Sequence, residues 1–84
     1  MIFNPLYSEF AAQFAAAPLS SLVESFNRQV GNRGWASARA AHDCALMDEF
    51  RRRGVDVSEV SDGTRTSFAK YVKYDEGTNS LVID

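Results

Sequence analysis

Leu6, Phe10 and Phe14 recur every four residues, with Tyr7, Ala11 and Ala17 beside them. On a 3.6-residue period these positions stack on one face, which predicts an amphipathic helix over residues 5–17. Asn4 followed by Pro5 is an N-cap residue and then the proline favoured at the first helical position, and Pro18 stops the run. A second helix is predicted from Ser20 or Ser21, because Ser21 and Glu24 have capping-box spacing. Its apolar stripe is Leu22, Val23, Phe26 and Val30, and Gly31, Asn32 and Gly34 supply the turn that ends it. A third helix runs from about Trp35 to Arg53 and is closed by Gly54 in a left-handed cap.

Beyond Gly54 the period changes. Val55, Asp56 and Val57 alternate briefly, and Ser58 to Gly63 reads as a capped turn. Thr64 to Tyr74 is β-branched and aromatic and predicts a strand. Asp75 to Asn79 predicts a turn with glycine available for positive φ, and Leu81, Val82 and Ile83 predict the return strand. Phe68, Val72 and Tyr74 fall on one face of the first strand, and Ala69 and Tyr71 on the other, with Lys70 and Lys73 on opposite faces. A two-stranded hairpin is marginal alone, so one face must pack on the helices. Met1 to Phe3 or Val55 to Val57 could add a third strand. The expected fold is therefore α+β over residues 1–84 as a single domain: a three-helix core followed by a C-terminal antiparallel β-hairpin.

Composition narrows the class. The 84 residues are 45% hydrophobic, 12% aromatic and 24% charged, which excludes a disordered, collagenous or coiled-coil chain. No apolar run approaches the roughly 20 residues that span a bilayer. Cys44 is the single cysteine, so neither an intramolecular disulfide nor a cysteine-based zinc cage can form. The first residues lack a basic leader and meet Pro5 and Glu9 early, unlike a secretory signal. Both features lead to the expectation of a cytoplasmic protein.

Candidate chemistry is sparse. His42 and Cys44 lie two apart, roughly 200° around a helix, so they cannot form a nucleophile–base dyad within it. His42, near the stripe of Trp35, Ala38 and Leu46, reads as a core-edge histidine bonded to a carboxylate or a carbonyl. Cys44, grouped with Ala36, Ala40 and Met47, reads as buried packing. Asp56, Glu59 and Asp62 before Gly63 are three apart, which is turn and cap spacing rather than a calcium loop. The turn Gly31-Asn32-Arg33-Gly34 reads as a helix connection and not as a phosphate loop. No cofactor, metal or small-molecule substrate is implied, and the chain does not read as an enzyme.

Charge offers two surfaces. The net charge is −2, but residues 35–54 carry four basic against three acidic groups, and residues 55–84 carry three against six. Arg51, Arg52 and Arg53 end the third helix, where cations complement its dipole, and Asp48–Arg52 and Glu49–Arg53 are i, i+4 pairs. The favoured function is a small protein-interaction module of accessory or inhibitory kind, acting by surface occupation on another protein or on a second copy as a homodimer. Its candidate contact residues are Phe68, Tyr71, Val72 and Tyr74. Three helices and a hairpin also resemble, in outline only, a winged-helix DNA-binding domain. That alternative would use Arg33, Arg39, Arg51, Arg52, Arg53, Lys70 and Lys73. Asp75 and Glu76 at the wing tip would oppose it by repelling phosphate, and Ser37, Arg39 and Arg51 make only part of a polar helix face.

Overall fold

A computed structural model describes residues 5–31, 37–63 and 65–84. The order is α1 (Pro5–Ala16), α2 (Leu19–Gln29), α3 (Ser37–Arg52), β1 (Val72–Asp75) and β2 (Ser80–Ile83). This is the expected α+β arrangement of three helices and an antiparallel hairpin. The expected N-cap at Asn4, a strand at Met1 to Phe3, the turn at Asn32 to Gly34, Trp35 and Thr64 lie outside the described residues.

Pro18 separates the first two helices by a different device from the one expected. It is extended (φ −68°, ψ 155°) and caps α2 without a side-chain bond. Its carbonyl accepts the amides of Ser21 (3.0 Å) and Leu22 (3.4 Å), so α2 begins at Leu19 and Ser21 lies inside the first turn. The proline ring presets φ, and a serine capping box is not needed.

α3 is the central element. Ala41, Ala45, Leu46, Met47, Glu49 and Phe50 are all buried, an arc covering roughly two thirds of the helix circumference. α1 lays Phe10 and Phe14 along it, α2 adds Leu22 and Phe26, and Val55, Val57, Val60, Val72 and Leu81 close the core from the C-terminal half. Cys44 is exposed rather than buried. It lies roughly 60° from Met47, just across the boundary of the buried arc, together with exposed Ala40 and Asp48.

Gly54 ends α3 as expected, with φ +76°. The Val55 amide returns to the Phe50 carbonyl (3.0 Å) and the Gly54 amide to that of Arg51 (3.0 Å), a Schellman closure with buried Val55 packed behind it. Asp56 then makes a one-residue parallel bridge to Ser80. The expected third strand at Val55 to Val57 is reduced to that bridge, through Asp56 N to Asn79 O and Leu81 N to Asp56 O, both 2.9 Å.

The first strand is much shorter than Thr64 to Tyr74. Its early part bonds elsewhere: Ser67 donates to the Val60 carbonyl (2.7 Å), and Ser61 bridges Thr66. Pairing therefore runs Val72↔Ile83, Lys73↔Val82, Tyr74↔Leu81 and Asp75↔Ser80. The turn also departs from expectation. Gly77 is not at positive φ; Asn79 is, at 51°. The Asp75 carboxylate accepts the Gly77 amide (3.0 Å) and the Thr78 hydroxyl (2.9 Å), while the Asn79 side chain donates to Gly54 O (3.0 Å) and accepts from the Tyr74 hydroxyl (2.6 Å). Asparagine tolerates the left-handed region, and its distant bonds hold it there.

Candidate surface on the outer face of the hairpin

The register sorts the hairpin into an inner and an outer row. Val72, Tyr74, Leu81 and Ile83 share the inner side, and Tyr71, Lys73, Val82 and Asp84 the outer, with the Asp84 amide bonded to Tyr71 O (2.9 Å). Of the four expected contact residues, three belong to the core side. Val72 is only 2% exposed, the ring of Phe68 packs on Phe26 at 4.5 Å, and Tyr74 is half-buried with its hydroxyl held by Asn79. Val72 is closed to a partner, while Phe68 and Tyr74 pack against the core and stay only partly exposed. Tyr71 is the exception, at 59% exposed. Ile83, 42% exposed at the rim, is the other large hydrophobic side chain left open among the described residues. The sequence reading passed over it because its exposure depends on the register.

Both hairpin edges are partly covered. The Asn27 side chain imitates a strand: it accepts the Val72 amide (2.8 Å) and donates to the Val72 carbonyl (2.9 Å). Along β2, Asp56 takes Leu81, and the Glu59 carboxylate accepts the Ile83 amide (3.1 Å). These contacts shield the backbone of Val72, Leu81 and Ile83 from edge pairing.

The arginines are engaged inside the fold. Arg39 donates to the Gln29 side chain (3.0 Å) and faces Asp43 (3.6 Å). Arg51 reaches the Ser61 hydroxyl (2.8 Å) and Asp48 (3.4 Å). Arg52 grips both oxygens of Glu49 (2.9 and 2.6 Å) instead of pairing with Asp48, whose other oxygen accepts the Tyr7 hydroxyl (2.5 Å). Arg53 joins Glu49 (2.6 Å) and donates to Phe14 O (2.8 Å) and Ala17 O (2.6 Å) at the end of α1. Glu49 is 5% exposed and draws both guanidinium groups because a buried carboxylate must be compensated. The bond from Arg52 is the main reason its pKa falls to about 2; burial opposes the shift and Arg53 reinforces it. The bond to Asp48 in turn raises the pKa of Tyr7. Arg33 lies outside the described residues. Lys70 and Lys73 are exposed and make no ion pair among the described residues.

The remaining polar groups serve turns. Asp56 accepts the Ser58 amide (2.8 Å), and bonding from the Ser58 side chain, reinforced by that amide, lowers its pKa; Asp62 accepts the amide of Arg65 (2.8 Å). His42 sits where a core-edge histidine was expected. Its Nδ1 lies 3.0 Å from Asp43, and its ring is wedged edgewise against Phe10 (5.1 Å) and Phe14 (5.2 Å). No cluster of three metal-ligating side chains occurs among the described residues, and no helix among them is long and apolar enough to cross a membrane. Comparison of the chain with family models, curated proteins and solved structures returns no match.

Proposed function

We propose that this chain is a small protein-interaction module that works without catalysis, by occupying a partner's surface with the outer face of its hairpin. The observation that supports the reading is the exposure of Tyr71 on the outer row, with Ile83 left open at the rim of the inner row. They remain exposed on one hairpin while the other large hydrophobic side chains among the described residues are at least partly covered. Exposed aromatic groups are favoured contact anchors, because they cover much area and lose little conformational entropy on binding. A single, exposed thiol suits a reducing compartment, consistent with a cytoplasmic setting.

Tyr71→Glu tests the reading with little structural cost, because the ring is solvent-facing. The substitution should leave the melting temperature within about 2 °C, as surface changes usually do, and should remove association with the partner, measured by pull-down and by light scattering. A strictly monomeric wild type whose captured proteins are the same as those of the variant would overturn it. The winged-helix alternative is the weaker reading, since Arg39 and Arg51 to Arg53 already have internal partners. It requires salt-sensitive binding of a DNA duplex that falls when those arginines are neutralised.

A further inference from the structure

Resting on the interaction reading, we infer that the outer face of the hairpin receives a basic protein segment, one arginine of which lies on the Tyr71 ring and pairs with the Asp84 carboxylate. The register brings the two groups together. The Asp84 amide bonds to Tyr71 O (2.9 Å), so these residues are directly opposed across the strands, on the same side of the hairpin and both exposed. Side chains opposed in this way have Cβ atoms about 5 Å apart. One planar guanidinium can therefore stack on the ring and reach the carboxylate with its N–H fork. A lysine ammonium is a compact point charge and has no such fork.

Charge complementarity selects the basic occupant. In the helical half, Glu24, Asp43, Asp48 and Glu49 are all met by arginines. Beyond Gly54 the carboxylates keep their charge: Asp56, Glu59 and Asp75 accept from neutral amide or hydroxyl groups. Neither they nor Glu76 and Asp84 join an ion pair among the described residues. Residues 55–84 carry six acidic against three basic groups, so this half attracts a cationic segment and repels the phosphates of a nucleic acid. Glu59, bonded to the Ile83 amide (3.1 Å), brings a second negative group to the Asp84 end of β2. Lys73 is the opposing charge on the outer row. It lies two residues from Tyr71, about 7 Å along the strand, and is paired across the hairpin with Val82, which leaves the Tyr71–Asp84 end to the incoming arginine.

The test is an amide NMR titration of the labelled full chain with a capped six-residue peptide in which leucines flank two arginines. Saturable shifts at Tyr71, Lys73, Val82 and Asp84 are expected, with affinity falling roughly threefold or more between about 50 and 200 mM salt. Asp84→Asn keeps the backbone bond to Tyr71, and Tyr71→Leu keeps an apolar group. Each should weaken binding about threefold or more with the melting temperature retained. A peptide with lysines in place of the arginines should bind more weakly, and one with citrullines should lose the shifts at Tyr71 and Asp84. The inference is overturned if the arginine peptide causes no shift at these residues, if the lysine version binds as well, or if Asp84→Asn binds as well as the wild type. Where Tyr71→Glu nevertheless loses its captured partner, only the basic occupant is removed and the interaction reading stands; where it does not, both fall. Shifts at the same residues that follow protein concentration without peptide overturn the inference in favour of a second copy.

Discussion

Gly54 sits at φ +76° with open space where a Cβ would project, so substitution there meets no clash and only backbone strain. Gly54→Val should destabilise the protein by about 1–2 kcal/mol, read from the urea midpoint at unchanged slope. Asn27 has the opposite character, since its backbone is ordinary helix and its side chain carries the role. Asn27→Ala leaves both polar groups of Val72 without partners and should cost about 1–3 kcal/mol, with the Val72 amide losing its exchange protection. An unaltered Val72 exchange rate would show that the bonds do not hold β1. The two positions differ in how far sequence reaches them. A glycine after an arginine-ended helix announces a cap because the signal is local. Asn27 finds its partner 45 residues away, and Asn79 replaces Gly77 as the left-handed residue through bonds to Gly54 and Tyr74. Nothing within a few residues of either announces this.

Among the elements, the helices were legible because period and proline positions are local, and the C-terminal ends of α1 and α3 fall within one residue of expectation. The first strand was not. β-branched and aromatic content suggested pairing back to Thr64, but the 65–71 stretch turns toward Val60 and Ser61 instead. The arginine triplet was read correctly as helix-end charge, yet its main work joins elements. Arg53 links Glu49 to the carbonyls of Phe14 and Ala17 at the C-terminal end of α1, where the last carbonyls of a helix lack a full set of donors of their own. Arg53→Met keeps the stem and deletes those bonds. It should cost about 2 kcal/mol, with α1 amides exchanging faster relative to those of α2. Equal acceleration in both helices would mean that Arg53 holds the whole core and not the α1 junction.

For the whole molecule, the candidate surface was partly legible: Tyr71 stood out in sequence, while burial removed Val72, partly covered Phe68 and Tyr74, and left Ile83 open. Which face a hairpin buries is decided by everything packed against it, so no local pattern shows it. Stability against acid is likewise collective, and Glu49 governs it. Its folded pKa, about 2, lies below the ordinary value of 4.5, so the folded chain resists protonation there more than the unfolded chain does. Stability from this carboxylate is therefore complete above about pH 4.5 and is lost as pH falls toward 2. Asp56, also lowered, acts in the same direction. Glu49→Gln leaves Arg52 and Arg53 beside a neutral group and should cost about 3 kcal/mol at pH 7. It should also flatten the decline: between pH 4.5 and 2.5 the wild-type urea midpoint should fall steeply and that of the variant much less. Parallel declines in the two proteins would show that some other carboxylate controls acid unfolding, and would detach the α1–α3 junction from the charge of Glu49.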